Sequence, residues 1–194
     1  LRDVLFLGDL YVGLDIGRQK DLSVLWVDQR VGDILRCAAV IDMKRTPYFI
    51  QEMVLHTILG HPQCRRACID RTGIGNQLAE RALGFFGAHK VEGIDFTAAN
   101  KEAIAVGLKN DFEDLRSEIP ADTTIRNSLH SVKKYATTTK NFRFDAERTD
   151  ATGHADHFWA KGLAVQAASV PYAKPEYESV EKGCFGTMRG GAIR

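Results

Sequence analysis

Residues 11–41 read YVGLDIGRQKDLSVLWVDQRVGDILRCAAVI. In an extended chain Val12, Leu14 and Ile16 fall on one face, and Tyr11, Gly13 and Asp15 on the other. The alternation predicts a strand over Tyr11–Ile16, ended by Gly17. The β-branched and aromatic run Asp21–Asp28 predicts a second strand, and Ile34–Ile41 a third. Gly32-Asp33 between them is turn material, so these two runs form a hairpin. The chain therefore opens with a three-stranded antiparallel meander.

Working outward, Thr46-Pro47 starts a helix, with Thr as N-cap and Pro in the first helical position. It runs to about Leu59 and stops at Gly60. Cys64–Asp70 (CRRACID) is a fourth strand. Gly73 and Gly75 let the chain turn sharply into a helix over Asn76–Phe86. Val91–Phe96 is a fifth strand. Thr97 caps a long helix reaching about Leu115, and Asp122 caps a shorter one. Tyr135–Thr139 and Phe142–Phe144 form a hairpin around Lys140-Asn141, and Ala155–Ala168 is the last helix. Three antiparallel strands followed by strands alternating with helices predict an α/β fold: a mixed sheet, antiparallel then parallel, with helices on both faces. Residues 1–170 form one domain. Beyond Pro171 the chain turns to Pro, Gly and charge without period, so 171–194 are expected to be a flexible tail.

The 194 residues are 44% hydrophobic and 26% charged, the balance of a globular domain with a sizeable core. No apolar run reaches the roughly 20 residues of a membrane span, and the N-terminus has no signal-peptide pattern. The chain does not begin with Met and is expected to be a piece of something longer, or processed. Four cysteines in this length suggest a reducing compartment rather than a disulfide framework. The net charge of +1 does not decide for or against nucleic acid. The densest basic stretch, Lys133, Lys134, Lys140, Arg143 and Arg148, could track a phosphate backbone or be an ordinary solvated hairpin; the two readings stand about equal.

The informative residues are three acids. Asp15 lies in a strand with apolar neighbours, and Asp70 ends another after Ala67, Cys68 and Ile69. Each has a bland alternative. Asp15 could cap a turn with Gly17, and Asp70 could cap the following helix. Asp156 shifts the balance. It opens the last helix, with Ala160, Leu163 and Ala167 at spacings that place it on the inward face. An acid in a first helical turn is ordinary; one aimed inward is not. Three inward carboxylates repel one another unless cations join them. An all-oxygen set selects Mg²⁺ or Mn²⁺ over zinc. Two such ions about 3.5–4 Å apart can clamp the attacking and leaving oxygens of a phosphodiester.

The segments YVGLDIGRQKDLSVLWV, ACIDRTGIGNQLAE, VEGIDFTAANK and GHADHFWAKGLA stand here in the order found in one known family. Over Tyr11–Ala168 the chain resembles the nuclease domain of large terminase subunits of tailed bacteriophages, and is most similar to the Mu-like prophage packaging proteins. The resemblance implies a ribonuclease-H-like fold and a metal-dependent endonuclease that cuts double-stranded viral DNA during packaging. It implies two divalent cations, Mg²⁺ or Mn²⁺, held by Asp15, Asp70 and Asp156, with Asp21 and His154 as possible auxiliaries. It also implies portal protein and small terminase subunit as partners, no membrane, and the bacterial host cytoplasm as location. The motor ATPase of a whole large terminase needs a phosphate loop, and no G-x-x-x-x-G-K-[ST] occurs in this chain.

Asp15-Ile16-Gly17 also resembles the first phosphate loop of actin-like ATPases and sugar kinases, but those proteins need a second lobe and a second Gly-rich motif. A catalytically inactive DNA-binding or docking module is a further alternative. His56, His61, Cys64 and Cys68 fit no common zinc spacing, and Cys68 reads as a small core residue.

Overall fold

The computed structural model describes residues 6–17, 22–136, 142–146 and 155–170. Leu10–Asp15 (β1), Leu22–Val31 (β2) and Ile34–Lys44 (β3) form the expected meander. Cys64–Asp70 (β4) joins β1 in parallel, and Val91–Ile94 (β5) joins β4 in parallel. A two-residue strand not anticipated from the sequence, Ser117–Glu118 (β6), pairs with the far edge of β3. The sheet order is β5-β4-β1-β2-β3-β6, so β1 lies between β4 and β2. The fold class is as expected: a mixed α/β sheet, antiparallel on one side of β1 and parallel on the other.

Tyr48–Leu59 (α1) and Gly75–Phe86 (α2) cover one face. There Val12, Leu14, Leu25 and Val27 pack with Leu55, Leu59 and Leu78 in one apolar cluster. Ala98–Glu113 (α3), Thr123–Ser131 (α4) and Asp156–Ser169 (α5) cover the other, where Val24, Trp26 and Cys68 meet Ala160, Leu163, Ala164, Ile104 and Leu108. Val132–Ala136 (β7) and Phe142–Ala146 (β8) form a separate hairpin. Val132 and Phe144 pack into the cluster that also holds Ala155 and Trp159, so the base of the hairpin lies near the start of α5.

Several expected ends move. The N-cap of α1 is Pro47, without a side-chain bond; the Thr46 carbonyl instead accepts from Gln51 Nε2 at 2.9 Å. Strand β7 begins at Val132, three residues before Tyr135, because Val132 reaches the apolar cluster and pairs with Ala146. The other two caps stand as expected. Thr97 accepts from Asn100 N–H, and Asp122 from Thr124 and Ile125 N–H. Gly73 has φ +66°, and a Cβ on Gly75 would lie 2.2 Å from the Asp70 carbonyl oxygen, so both glycines make the turn after β4 possible. The predicted tail at 171–194 lies outside the described residues.

The largest departure is α5. The sequence predicts an amphipathic helix with one inward face. The structure buries it on nearly all sides, between the sheet and α3 and α4. Two glycines make this possible. A Cβ on Gly13 would stand 1.9 Å from the Ala160 carbonyl oxygen, and one on Gly162 would stand 2.5 Å from Ile104 Cγ2. Helix backbone thus rests directly on strand backbone. Among the described residues no helix is long and apolar enough to cross a membrane.

Candidate active site

Asp15 and Asp70 end neighbouring parallel strands. The β1–β4 register pairs Leu14 with Ile69, so the two acids follow side by side at the C-terminal ends of these inner strands. Each sits on the face that α5 covers, because Leu14 and Ile69 before them point to the opposite core. Asp156 opens α5 above them. All three are buried, with 8%, 5% and 8% exposure respectively. Acids are rarely so enclosed without a partner.

Burial pushes the Asp15 carboxyl well above the ordinary carboxylate range. The charges of Asp156 and Asp70 push it the same way, while Lys101 and the Ile16 N–H oppose them. Burial also raises Asp70, against hydrogen bonds from Thr72 and the charge of Lys101, with Asp95 adding a further upward push. The bland roles account for little of this. The Gly17 N–H donates to Ser23 Oγ at 3.1 Å, leaving Asp15 no capping role there. Asp70 does accept the Thr72 N–H at 2.8 Å, closing a local turn, but α2 has no side-chain cap. That bond occupies one oxygen of Asp70.

The donor set therefore fits a hard divalent cation: three carboxylates, buried, mutually repelling, without sulfur or imidazole among them. Among the described residues no group of three or more His, Cys, Asp and Glu side chains is arranged to hold a metal as it stands. Asp15 senses the charges of Asp70 and Asp156 without the three closing into a cage. A zinc site at His56, His61, Cys64 and Cys68 is disfavoured by the state of its thiols. Cys64 and Cys68 are buried, and burial pushes both thiols up to about 12, which disfavours the thiolate that zinc requires.

Two residues here went unassigned in the sequence. Lys101, in the first turns of α3, lies 4.7 Å from the centre of the Trp159 ring and 5.3 Å from that of Phe96. The rings lie 5.3 Å apart, so the ammonium has two aromatic walls. Its charge acts on both Asp15 and Asp70. It is the last residue of the VEGIDFTAANK segment, but a lysine in a helix ordinarily reads as solvated surface. The second is His157, buried beside Asp156, with Nε2 3.0 Å from Asp42 Oδ1. Asp42 pairs with Val24, which pairs with Asp15, so Asp42 lies in the same row across the sheet.

Asp21 and His154, the expected auxiliaries, lie outside the described residues, as do Lys140 and Arg148. Arg143 is described in its backbone alone, paired with Tyr135. Lys133 and Lys134 are exposed on β7, and Lys134 Nζ lies 5.8 Å from the centre of the Phe144 ring.

Residues 12–168 match the family described as the terminase RNaseH-like domain. No curated protein matches the sequence. Among solved structures, the chain is similar to the large terminase nuclease from thermophilic phage G20c with bound magnesium. The identity is 21%, over 81% of this chain and 80% of that one, with a TM-score of 0.68. It is also similar to the large terminase nuclease domain of Thermus phage P74-26: 19% identity, 80% and 77% coverage, TM-score 0.63. The large terminase of bacteriophage HK97 shares 13% identity over 84% of this chain but 40% of that one, with a TM-score of 0.61. At these identities the likeness is one of fold, and the chain spans less than half of the HK97 protein.

Proposed function

The chain belongs to the terminase RNaseH-like domain family, and from that premise we propose that it is the nuclease domain of a viral DNA-packaging terminase, hydrolysing double-stranded DNA with divalent cations held by Asp15, Asp70 and Asp156. The observation that carries this reading is the convergence of three buried acids, with Asp15 under the charges of the other two, at the C-terminal ends of β1 and β4. The G20c nuclease has been solved with magnesium, cobalt and zinc, which supports a site of the same kind here. Held by these three acids, two Mg²⁺ or Mn²⁺ ions would supply Lewis acidity for hydrolysis of a phosphodiester.

The chain's own residues do the rest. Asp15 and Asp70 present oxygens from rigid strand ends, and Asp156 closes the set from α5. Lys101 sets a fixed positive charge beside the acids, where it can meet a phosphate oxygen of the scissile strand. Asp21 and His154 remain candidate auxiliaries. Lys133 and Lys134, with Lys140, Arg143 and Arg148, are the candidate contacts to the duplex backbone. Such contacts position DNA without reading its sequence. The packaging role, the portal and small-subunit partners and the host cytoplasm are part of the same proposal.

The direct test is plasmid nicking with Mn²⁺, Mg²⁺ and EDTA. Nicking and linearisation are expected with either ion and none in EDTA. Undiminished cleavage in EDTA would overturn the metal-dependent reading. Silence in all lanes, with no stabilisation by Mn²⁺, would leave a docking module whose acids are inert.

Lys101→Met provides a second test. Removing a cation from beside the acids should leave Mn²⁺ affinity equal or tighter, since the lysine competes with the metal for the same field. Cleavage should nevertheless fall by about a hundredfold to a thousandfold, the scale of losing one charge-stabilising donor. Calorimetric titration with Mn²⁺ beside single-turnover rates separates the two effects. Weaker metal binding with proportionate loss of rate would make Lys101 only a prop between Phe96 and Trp159.

A further inference from the structure

Lys161 and Asp28 are wholly buried, with no exposure of either side chain. Lys161 Nζ donates to Asp28 Oδ2 at 2.7 Å, and Trp26 Nε1–H donates to Asp28 Oδ1 at 2.7 Å. The ammonium also lies 5.7 Å from the centre of the Trp26 ring. The pair therefore joins α5 to β2, far inside the layer between sheet and helices. Burial pushes the Asp28 carboxyl up, and the Lys161 charge and hydrogen bond oppose that push. Replacing such a pair by apolar residues of similar size is often neutral or stabilising, so stability alone does not explain its presence.

The surface on which α5 rests does explain it. The helix meets the sheet through Ala160 and Ala164, over Gly13, Val24 and Trp26. Small residues let the backbones approach, and the close seat at Gly13 is made with helix backbone flanked by Ala160 and Ala164, a pattern that changes little from one turn of the helix to the next. A slip by a single turn would carry Asp156 roughly 5.4 Å along the axis. The three acids can share cations only if Asp156 keeps its position relative to Asp15 to within a small fraction of that distance. A directional, fully enclosed ion pair has one register in which both charges are satisfied. Sliding the helix would strand both in a low-dielectric interior.

We propose that the Asp28–Lys161 pair is the register pin of α5, a positioning device that holds Asp156 at the height of Asp15 and Asp70. Neither residue touches metal or DNA; both act through the placement of Asp156. The inference rests on the metal-site reading above, and goes beyond it by assigning the site's geometry to a pair outside it. Asp28 and Lys161 are thus expected to control metal affinity from within the core.

The test compares the wild-type protein with Lys161→Met and with the double variant Asp28→Asn, Lys161→Met. In the double variant the amide oxygen at position 28 still accepts from Trp26 while the charge is gone. Melting temperature in EDTA and Mn²⁺ affinity by calorimetric titration are read for each. Lys161→Met alone should melt well below wild type, because it leaves Asp28 buried and unpaired. The double variant should recover most of that loss yet bind Mn²⁺ roughly tenfold or more weakly, the scale of losing an outer support of a metal site. Recovered melting with wild-type Mn²⁺ affinity would overturn the pin and leave the pair as packing. If the double variant does not recover, Lys161→Gln is titrated at a temperature where circular dichroism shows it folded. A tenfold weaker affinity there supports the pin, and an unchanged one overturns it. A wild-type protein that binds no Mn²⁺ would instead overturn the metal-site reading, and the pin with it.

Discussion

Asp15→Asn, Asp70→Asn and Asp156→Asn should each reduce metal-dependent cleavage by roughly a thousandfold or more, on the scale of losing a preorganised electrostatic element. In EDTA, none of them should weaken the fold. The two results belong together, because a metal ligand and a structural acid differ in what the empty site costs. Asp15 is buried among like charges, and its carboxyl titrates well above the usual range in the folded protein. In the unfolded chain it titrates near 4. As pH rises past 4, the unfolded chain therefore releases this proton before the folded protein does. Stability is lost with rising pH, from about 4 up through the raised folded value, and the loss then levels off. Asparagine has no proton to lose. The advantage of Asp15→Asn over wild type in EDTA should therefore be absent near pH 4 and grow as pH increases. Melting curves from pH 4 to 8 measure it directly. Added Mn²⁺ should reverse the order, stabilising wild type and not the variant. A variant that melts below wild type at every pH in EDTA would mean that Asp15 holds the turn after β1 rather than a metal.

Gly13→Ala should be the most damaging single-methyl change in the sheet. The added Cβ would lie 1.9 Å from the Ala160 carbonyl oxygen and 2.4 Å from the Ala164 nitrogen. Both are helix backbone atoms, so no side chain can rotate aside, and α5 must lift from the sheet. Overpacking usually costs 1–3 kcal/mol, and a contact with no soft neighbour belongs at or above the upper end, about 3 kcal/mol. Because α5 carries Asp156, Mn²⁺ affinity should fall even where the variant is folded. Gly84→Ala and Gly107→Ala are the controls. Both lie in helices, their added Cβ atoms meet nothing within 4 Å, and removing a helical glycine should gain up to about 1 kcal/mol. Urea melts of the three variants, with Mn²⁺ titrations at low urea, settle the matter. A Gly13→Ala protein as stable as the controls would mean that α5 is seated by some other contact.

Two of the acids were readable because strands declare their faces. The alternation in β1 sets Asp15 against Val12 and Leu14, and the apolar run of β4 ends on Asp70; a period of two leaves little freedom. The third was readable for an incomplete reason. Asp156 does lie on a buried face of α5, but nearly every face of α5 is buried, and local periodicity cannot show how many neighbours a helix will have. Lys161 escaped for the same cause, since a lysine in a helix signals solvent until its partner Asp28, 133 residues away in sequence, is known. Lys101 escaped because its aromatic walls come from Phe96 and from Trp159 on another helix. β6 is two residues long and exists because β3 offers it an edge. The caps at Thr97 and Asp122 were legible because capping is local chemistry; Thr46 failed because the residue after it took the capping position.

The central place of β1 has a consequence for when the molecule can lose its chemistry. Its backbone is paired on both sides, by β2 and β4, and both of its faces are covered. The edges of the sheet, β5 and the two-residue β6, can fray in local openings that cost much less than global unfolding. Such openings leave Asp15 where it is, and no partial excursion of the edges disconnects it from Asp70 beside it. Asp15 and Asp70 are mounted on paired inner strands, so the proposed metal site should keep these two acids together until the inner sheet itself opens.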